Sequence, residues 1–514
     1  MKRRAMLSAL GAGLSAGACA ARAPAKPPTS VAPTPRRAAA PGGPVLRARE
    51  LLADAALLRR AYEALHPGLY RYNTPAQLGA HYAALERALG RDQSLQEAFI
   101  ALTTFTATLK CGHSYPNFFN QPDEVAAAIL NGQPCLPFFF RWLGGRMVVT
   151  RSFAPDGRLA PGAEVLAIDG VPARAVLEAL LPLARADGSN DEKRVNYLEA
   201  RGESTYDAFD VYYAMLFPPR GGHVELDLAD PRSGARATSR VPTLRHADRV
   251  DAIEGRERGR AGGAPAWRVA FFDDKLAVLT MPTWALYRTT WDWRAFLDET
   301  FAEIARRGVT DLAIDLRGNE GGLGVGDVLL GHLSARPVAP DPYRRLVRYR
   351  KVPADLDPHL DTWDDSFRDW GEQAVEVGGG FYRLTRRDGE GPRGDAGARP
   401  PRPPFGGRTW VLVDASNSSA TFEFALAVRQ NRLGTLVGRT TGGNLRGING
   451  GAFFFLRLPN SKIEVDVPLI GQFPEGERPD AGLVPDLIVT PTAADIAAGV
   501  DVELATLRAR RRAG

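Results

Sequence analysis

The stretch WVLVDASNSSATFEFA, residues 410–425, is the most informative part of this 514-residue sequence. Its first four residues are apolar and include aromatic and β-branched side chains, which predicts a buried strand. The polar residues that follow predict a turn, and Phe422, Ala425 and Leu426 then recur at helical spacing. Free backbone N–H groups and the positive end of a helix dipole converge at such a junction. A serine placed there can act as a nucleophile beside an oxyanion site, although the alternative is a serine-rich helix cap.

A second strand–turn–helix signal lies upstream, in DLAIDLRGNEGG, residues 311–322. An apolar run enters a glycine-rich turn, and Val325, Val328 and Leu329 then open a new helical pattern. Glycine allows a backbone to turn sharply and to approach a ligand closely. Alone, this segment is compatible with many α/β proteins, so its meaning depends on the serine turn.

Together the two segments resemble the C-terminal processing (tail-specific) proteases and the tricorn core, a family of serine peptidases. The family's D-L-R-x-N-x-G-G turn is followed here by Ser419-Ala420-Thr421, by a G-x-x-T-x-G loop at 438–443 and by a G-x-x-P-D signature at 482–486. The resemblance implies an α/β fold with a ClpP/crotonase-like ββα spiral core. It also implies hydrolysis of polypeptides by Ser419 without a cofactor.

The general base separates the two branches of this family. The processing proteases carry a lysine where Gly443 stands, and a glutamate where Phe422 stands, with Glu423 one place later. Arg439 and Arg446 cannot replace the lysine, because a guanidinium stays protonated at any workable pH. The sequence is therefore closer to the tricorn-type branch, in which a histidine from the N-terminal part of the chain is the base.

His113 is the predicted base among seven histidines. It follows an apolar helical stretch and lies between Gly112 and Ser114, which resembles the G-H-S/T segment of tricorn-type members. A neutral imidazole can accept a proton near pH 7. His66, before Pro67, is the second choice, and the hydroxyl of Ser114 is a possible supporting group.

Three further roles complete the expected site. The resemblance places an acidic residue shortly before the G-x-x-P-D signature, where Asp480 fits best and Glu477 is the alternative; a solvated surface loop is the competing interpretation. Such an acid would orient the imidazole. The oxyanion donors are expected to be the backbone N–H of Ala420 and that of Gly321 or Gly322.

Other chemistries are disfavoured. Cys111 stands two residues before His113, but no helix begins after it to lower the pKa of its thiol. No paired Cys-x-x-Cys, His-Glu-x-x-His or phosphate-binding loop occurs, so we expect neither a metal nor another cofactor. The net charge of +6 is spread along the chain and does not imply nucleic acid binding.

The N-terminus predicts export to the periplasm or cell envelope. A basic start, MKRR, precedes a short apolar stretch that cannot span a bilayer. Arg3-Arg4 resembles a twin-arginine signal, although the Sec route would also accept it. The run ending at Cys19 resembles a lipoprotein box, so Cys19 would tether the protein to a membrane; otherwise cleavage after Ala18 or Ala20 releases it.

The chain divides into six predicted parts. They are a leader at 1–20, an Ala/Pro-rich linker at 21–45, a helical domain at 46–125, a PDZ-like β-rich region at 126–260, the peptidase core at 265–500 and a basic helix at 501–514. The PDZ resemblance rests on residues 158–172, but no Gly-Leu-Gly-Phe loop for carboxylate binding is present. The Gly/Pro/Arg-rich run at 388–404 predicts an exposed insertion.

Three functions compete at this level. The first is an exported serine endopeptidase, the second a non-catalytic ligand- or peptide-binding protein on the same fold, and the third a crotonase-like acyl-CoA enzyme. Fold alone does not decide between them. The Ser-Ala-Thr turn together with His113 favours the peptidase.

Overall fold

The computed structural model describes residues 45–202, 206–219, 221–245, 247–249, 267–272, 274–287, 289–338, 343–385 and 403–513. The predicted leader, nearly all of the linker and most of the predicted insertion at 388–404 lie outside these ranges. No helix in the described ranges is long and apolar enough to cross a membrane.

The N-terminal part of the described chain is mainly helical. Thr74 with Gln77, and Ser94 with Glu97, form capping boxes that start two of its helices. Apolar residues at helical spacing bury one face of the first helix. The elements are β1 Val45–Leu46, α1 Ala48–Leu65, α2 Pro75–Leu89, β2 Gln93–Ser94, α3 Leu95–Thr108 and α4 Asp123–Ile129.

The middle part carries an antiparallel sheet. Its elements are β3 Pro134–Cys135, β4 Phe138–Leu143, β5 Arg146–Ser152, β6 Glu164–Ile168, β7 Val171–Pro172, α5 Ala173–Leu180, α6 Asp191–Tyr197, α7 Ala208–Leu216, β8 His223–Ala229, β9 Arg236–Pro242 and β10 Leu244–Arg245. The strand order is β4-β5-β6-β8-β9, with β7 paired to β6. Side chains alternate between buried and exposed along β8, as expected for a sheet with one solvated face.

The C-terminal part contains two six-stranded sheets. Its elements are β11 Arg268–Phe271, β12 Leu276–Thr280, α8 Trp293–Arg306, β13 Asp311–Asp315, α9 Val325–Leu333, β14 Tyr343–Val347, β15 Leu360–Asp361, β16 Ala374–Gly378, β17 Phe381–Leu384, β18 Arg408–Val413, α10 Ser419–Gln430, β19 Thr435–Gly438, β20 Asn449–Arg457, β21 Glu464–Pro474, β22 Leu487–Ile488, α11 Ala493–Ala498 and α12 Val502–Ala513.

The first of these sheets positions both sequence motifs. Its order is β11-β12-β13-β18-β19-β22, and all of its pairs are parallel except β11 with β12. The strands that precede the two motifs, β13 and β18, are neighbours, with Asp315 opposite Leu412. The turns that follow them therefore emerge side by side at the carboxyl edge, where open α/β sheets bind their ligands.

The second sheet joins the N-terminal helices to the C-terminal part of the chain. Its order is β15-β20-β21-β14-β17-β16, and it is antiparallel. Buried residues of α1 and of β20 and β21 share one hydrophobic core. Within it, the hydroxyl of Tyr62 donates to the carbonyl oxygen of Asp466 at 3.2 Å. This packing brings the segment that follows α3 towards the serine turn.

The C-terminal helix covers the other face of the first sheet. Leu507 of α12 is fully buried against a small core that includes Trp410 and Val437. The guanidinium of Arg511 pairs with Asp274 and Asp311 at the amino edge. The predicted basic helix at 501–514 is thus observed at Val502–Ala513.

Candidate active site

Ser419 lies at the first residue of α10, directly after the turn that leaves β18. Its φ is +51°, a left-handed conformation that is uncommon for a residue with a side chain. Such strain is found mostly where the surrounding structure holds a residue for function. Ser419 is half-buried, and its hydroxyl has no hydrogen-bond partner among the described residues. Ser419 therefore combines a strained backbone with a hydroxyl that has no hydrogen-bond partner among the described residues, at the start of a helix.

The turn before Ser419 is fixed by its own polar groups. Asp414 accepts a hydrogen bond from the N–H of Ser416 at 2.8 Å, and the side-chain oxygen of Asn417 accepts one from the N–H of Asp414 at 2.8 Å. Burial alone would raise the pKa of Asp414, but the guanidinium of Arg201, 3.1 Å away, and other arginines lower it well below its usual range. The carboxylate is therefore charged and keeps the turn in one conformation.

Side chains also tie this turn to the glycine-rich turn after β13. The amide nitrogen of Asn417 donates to the carbonyl oxygens of Leu316 and Asn319 at 2.6 and 3.0 Å. Thr421 donates to the same Asn319 oxygen at 3.0 Å, and Asn319 itself donates to Met281 at 2.8 Å. These bonds satisfy buried polar groups of both turns, so the two motifs form one unit.

The glycine-rich turn lies directly against Ser419. Gly321 has a φ of +102°, and a Cβ there would stand 3.0 Å from both the Ser419 Cβ and the Ala420 nitrogen. However, the N–H of Gly321 donates to Asn319 Oδ1 at 2.9 Å. The expectation that Gly321 could donate to an oxyanion is therefore corrected. The N–H groups of Gly322 and Ala420 have no partner among the described residues and remain available.

His113 lies in the turn after α3 and faces the second sheet. A Cβ on Gly450 of β20 would lie 3.8–3.9 Å from three atoms of the imidazole, and the Phe453 ring centroid is 5.7 Å away. The neighbouring Gly112 donates its N–H to Asp187 at 2.9 Å, which anchors the turn. The Nδ1 atom of His113 is buried and has no hydrogen-bond partner among the described residues.

An ionic cluster of buried Arg185 and Lys193 with the 46% exposed Glu320 connects the His113 turn to the Ser419 turn. Arg185 donates to the carbonyl oxygen of Gly112 and, at 3.1 Å, to Glu320, which precedes Gly321. Lys193 is 1% exposed and lies 2.5 Å from the other oxygen of Glu320. Its ammonium also donates to the carbonyl oxygen of Ser416 at 3.2 Å. We call Arg185, Lys193 and Glu320 the clamp.

The clamp sets the charge state of the site. Burial lowers the pKa of His113 to about 4, Arg185 and Lys193 lower it as well, and only Glu320 opposes them. Partial desolvation would raise the pKa of Glu320, whose side chain is 46% exposed, but Lys193 and Arg185 outweigh it and lower that pKa to about 2. The imidazole is therefore neutral at pH 7 and the carboxylate charged, which is the state that a general base requires.

The predicted acidic partners of His113 lie elsewhere. Asp480 accepts hydrogen bonds from the N–H of Ser189 at 2.9 Å and from the Asn444 amide at 2.7 Å. Glu477 is exposed. Among the described residues, no hydrogen bond joins either carboxylate to His113, so the expected place of Asp480 against the ring is corrected. The acid in electrostatic contact with His113 is Glu320.

His66, the second choice for the base, is hydrogen-bonded to a different side chain. The Nε2 atom of His66 lies 2.9 Å from the Ser114 hydroxyl, and both side chains are buried. Burial and Arg71 lower the pKa of His66 to about 3. Ser114 therefore supports His66 in the described structure, which corrects its expected place beside the catalytic pair.

The two body cysteines are free and buried. Burial raises the pKa of the Cys111 thiol to about 11, and the Asn449 amide donates to its sulfur at 3.3 Å. A thiol in this state is not a nucleophile at neutral pH. In the described part of the chain, no group of three or more His, Cys, Asp or Glu side chains is arranged to hold a metal ion.

The structure also explains why a lysine base has no place here. A Cβ on Gly443 would lie 2.3 Å from the Phe422 ring. The two residues that depart from the processing-protease pattern therefore occupy one space, and a lysine at 443 would collide with Phe422.

Sequence reasoning did not find Arg185, Asp187, Lys193 or the role of Glu320. Glu320 stands at a variable position of the glycine-rich motif, and Lys193 lies on α6 among Asp191, Glu192 and Arg194, a run typical of a solvated surface. Only the fold buries Lys193 against the serine turn, so no local signal marked it.

These features lie on a mixed α/β fold. Residues 275–450 match the model of peptidase family S41. The matched region contains both motifs, and the match confirms the family resemblance drawn from them.

Solved structures of CPAF share the fold. CPAF complexed with lactacystin is 17% identical, with 88% of this chain and 95% of that chain covered and a TM-score of 0.57. Mature CPAF is 17% identical, with 88% of this chain and 94% of that chain covered and a TM-score of 0.55. A point mutant of CPAF is 15% identical, with the same shares of the two chains covered and a TM-score of 0.58. Comparison with curated protein sequences gave no match.

Proposed function

We propose that this protein is an exported serine endopeptidase in which Ser419 is the nucleophile and His113 the base. The observation that carries the proposal is the left-handed Ser419, whose hydroxyl is unpartnered among the described residues and which lies against the glycine-rich turn and the free N–H of Ala420. Strained serines at strand-to-helix turns perform this role in other hydrolases.

The reaction follows from these groups. The Ser419 oxygen attacks the carbonyl carbon of a peptide bond while the imidazole of His113 takes the hydroxyl proton. The N–H groups of Ala420 and Gly322 receive the oxyanion of the tetrahedral intermediate. The imidazolium then gives its proton to the leaving amine, and an acyl-enzyme remains. A water molecule, deprotonated by the same imidazole, hydrolyses the ester and restores Ser419.

The clamp takes the place of the acidic residue that is hydrogen-bonded to the histidine in a catalytic triad. Lys193 and Arg185 hold Glu320 beside the His113 turn, and the negative charge of Glu320 stabilises the imidazolium that forms during the reaction. Because Arg185 also binds the Gly112 carbonyl, it keeps the base at a fixed distance from the serine turn. Arg185, Lys193 and Glu320 are therefore positioning residues.

We also propose that the C-terminal part has the ClpP/crotonase-like spiral topology and the middle part a PDZ-like one. In the middle sheet, the edge strand β4 is already paired: Phe140 donates its N–H to Ala200 at 3.0 Å, and Trp142 donates to Glu199 at 3.1 Å. An edge covered in this way cannot accept a peptide strand. Substrate capture therefore belongs to the catalytic cleft and not to this edge.

Export and a membrane tether through Cys19 rest on the sequence of the first 20 residues. Mass spectrometry of the mature N-terminus from a membrane fraction tests this. A lipid on Cys19 supports the tether, a start after Ala18 or Ala20 supports a free periplasmic form, and an intact leader contradicts export.

A fluorophosphonate probe tests the chemistry. We expect the probe to add to Ser419, and Ser419→Ala to abolish labelling and to lower peptidase activity by about 10⁴-fold or more. Ser418→Ala is the matched control, since Ser418 donates to the Glu320 carbonyl at 3.3 Å and has no reacting role. An adduct on Ser416 or Ser418 would move the nucleophile within the turn, and no adduct at all would favour a non-catalytic binding protein.

A further inference from the structure

A row of aromatic side chains runs from His113 across the outer face of the second sheet. The ring centroids of His113 and Phe453 are 5.7 Å apart, those of Phe453 and Trp363 are 5.7 Å apart, and those of Trp363 and Phe455 are 5.7 Å apart. We call Phe453, Phe455 and Trp363 the aromatic row. Ring separations in this range are those of packed aromatic pairs.

The sheet itself explains why these rings face outward. Along β20, Phe454 and Leu456 are fully buried, whereas Phe453 and Phe455 on the opposite face are only half-buried. Side chains of a strand alternate between its two faces, so two large apolar residues are directed away from the core.

Trp363 completes the row and is held in place. It follows β15, which pairs with β20, and the neighbouring Thr362 donates its hydroxyl to the Phe453 carbonyl at 3.0 Å. Its ring packs at right angles on Phe367, with centroids 5.5 Å apart. Trp363 is nevertheless 60% exposed. A fixed and exposed indole beside half-buried rings forms a preorganised apolar surface, and such surfaces mark binding sites.

The position of the row relative to His113 identifies its ligand. In acyl transfer, the base that deprotonates the serine must then protonate the leaving amine, so the leaving part of the substrate lies on the histidine side of the cleft. The strand beside the ring is irregular there, because the β20–β21 register shifts between Gly450 and Phe453, and Gly450 presents no side chain to the imidazole. A substrate that passes His113 therefore reaches the aromatic row with the residues that follow the cleaved bond.

We propose that the aromatic row is a substrate subsite for a large apolar side chain, aromatic or long aliphatic, within the first residues after the scissile bond. This inference rests on the proposed peptidase function and adds its specificity. Stacking on Trp363 and Phe453 gives such a side chain a contact that alanine or a charged residue cannot make. The subsite acts through binding, so its loss affects KM more than kcat for favoured substrates.

The test uses the full chain and carboxymethylated casein as substrate, with cleavage sites mapped by mass spectrometry. In the wild-type digest, we expect Phe, Tyr, Trp, Leu and Met to be enriched just after the cleaved bonds. Trp363→Ala should remove most of this enrichment and lower kcat/KM for the favoured peptides by about fivefold. Trp363→Phe should retain it. Phe272→Ala is the control, since Phe272 is an exposed aromatic residue that follows β11, the edge strand of the first sheet, and does not belong to the aromatic row.

Two measurements separate this proposal from the proposed function. Fluorophosphonate labelling of Ser419 must be equal in wild type and Trp363→Ala, because Trp363 touches no reacting group. Unchanged cleavage profiles with normal labelling would overturn the subsite but leave the peptidase function intact. An absence of labelling in the wild type would overturn both.

A binding measurement avoids dependence on turnover. In the inactive Ser419→Ala protein, saturation-transfer NMR should detect N-acetyl-phenylalaninamide and not N-acetyl-alaninamide, and Trp363→Ala should abolish the signal. Equal signals with and without Trp363 would overturn the subsite.

Discussion

The two halves of the proposed active site are built in different ways. The serine half consists of two turns that leave neighbouring strands of one sheet, and Asn417, Asn319 and Thr421 bind them together. The histidine half comes from about 300 residues earlier in the chain. The N-terminal helices pack on the second sheet, and Arg185 links the carbonyl oxygen of Gly112, next to His113, to Glu320 of the serine half.

This difference shows which half depends on long-range packing. Parallel pairing of β13 with β18 sets the serine half, so a change near the histidine should leave it assembled. The histidine half depends on contacts between distant segments, so its charge state and position respond to single substitutions in the clamp. A substitution of His113 therefore perturbs one half alone, whereas a substitution in the clamp touches both, since Lys193 also donates to the Ser416 carbonyl oxygen.

Among substitutions in the histidine half, His113→Gln should cause the largest loss of activity. Removing the base leaves Ser419 and its oxyanion donors in place but leaves no group to take the hydroxyl proton, so we expect kcat/KM to fall by about 10²–10⁴-fold. Glutamine keeps a similar volume, and circular dichroism should show an unchanged fold. Peptide hydrolysis and the fluorophosphonate labelling rate both measure the loss.

Lys462→Ala is the matched control for a lysine base. Lys462 is exposed in the turn between β20 and β21, and its removal should leave hydrolysis unchanged. Full activity in His113→Gln would mean that another group deprotonates Ser419, and the histidine half would then have no catalytic role.

The sequence predicted the serine half well because its signals are local. The apolar run before residue 414 predicted the strand β18, and the spacing of Phe422, Ala425 and Leu426 predicted α10. The glycine-rich turn predicted a close approach, which the Gly321 geometry bears out. The family and its mixed α/β fold followed from the same motifs and are confirmed.

The sequence predicted the surroundings of the histidine less well because they are set by packing. Counting residues back from the G-x-x-P-D signature selected Asp480, but a carboxylate binds whichever donors the fold brings near it, here Ser189 and Asn444. Lys193 looked like a surface residue and is buried. A single sequence does not show which distant segments meet, so the clamp could not be foreseen.

The pH dependence of Ser419 labelling tests whether the clamp controls the charge state of His113. With the pKa of His113 at about 4, the labelling rate should be half-maximal near pH 4 and constant above about pH 5, whereas an exposed histidine would give a midpoint near 6.5. Lys193→Met keeps the side-chain volume but removes a positive charge that opposes protonation of the imidazole. The midpoint should therefore move upward, towards the ordinary histidine value.

Folding stability should follow the same titration. Because the folded state keeps His113 neutral down to about pH 4 and the unfolded chain protonates it below about 6.5, the unfolded state binds more protons between these values. This group's contribution is complete above about pH 6.5 and is lost as the pH falls towards 4. Labelling rates are therefore compared only where tryptophan fluorescence reports a folded protein. An unchanged midpoint in Lys193→Met would mean that the clamp does not act on His113.

The smallest effect should come from Asp480→Asn, which decides whether this carboxylate belongs to the histidine half. An asparagine keeps an oxygen that can accept from both the Ser189 N–H and the Asn444 amide, but both hydrogen bonds lose their charge assistance, so we expect a stability loss of about 1 kcal/mol. Labelling of Ser419 should change by less than about threefold, whereas the same substitution in a working triad costs about 10⁴-fold. Glu477→Gln, at an exposed position of the same loop, controls for the change in surface charge. A loss of several thousandfold in Asp480→Asn with intact folding would restore Asp480 as the partner of His113, and the clamp would then only hold the two halves together.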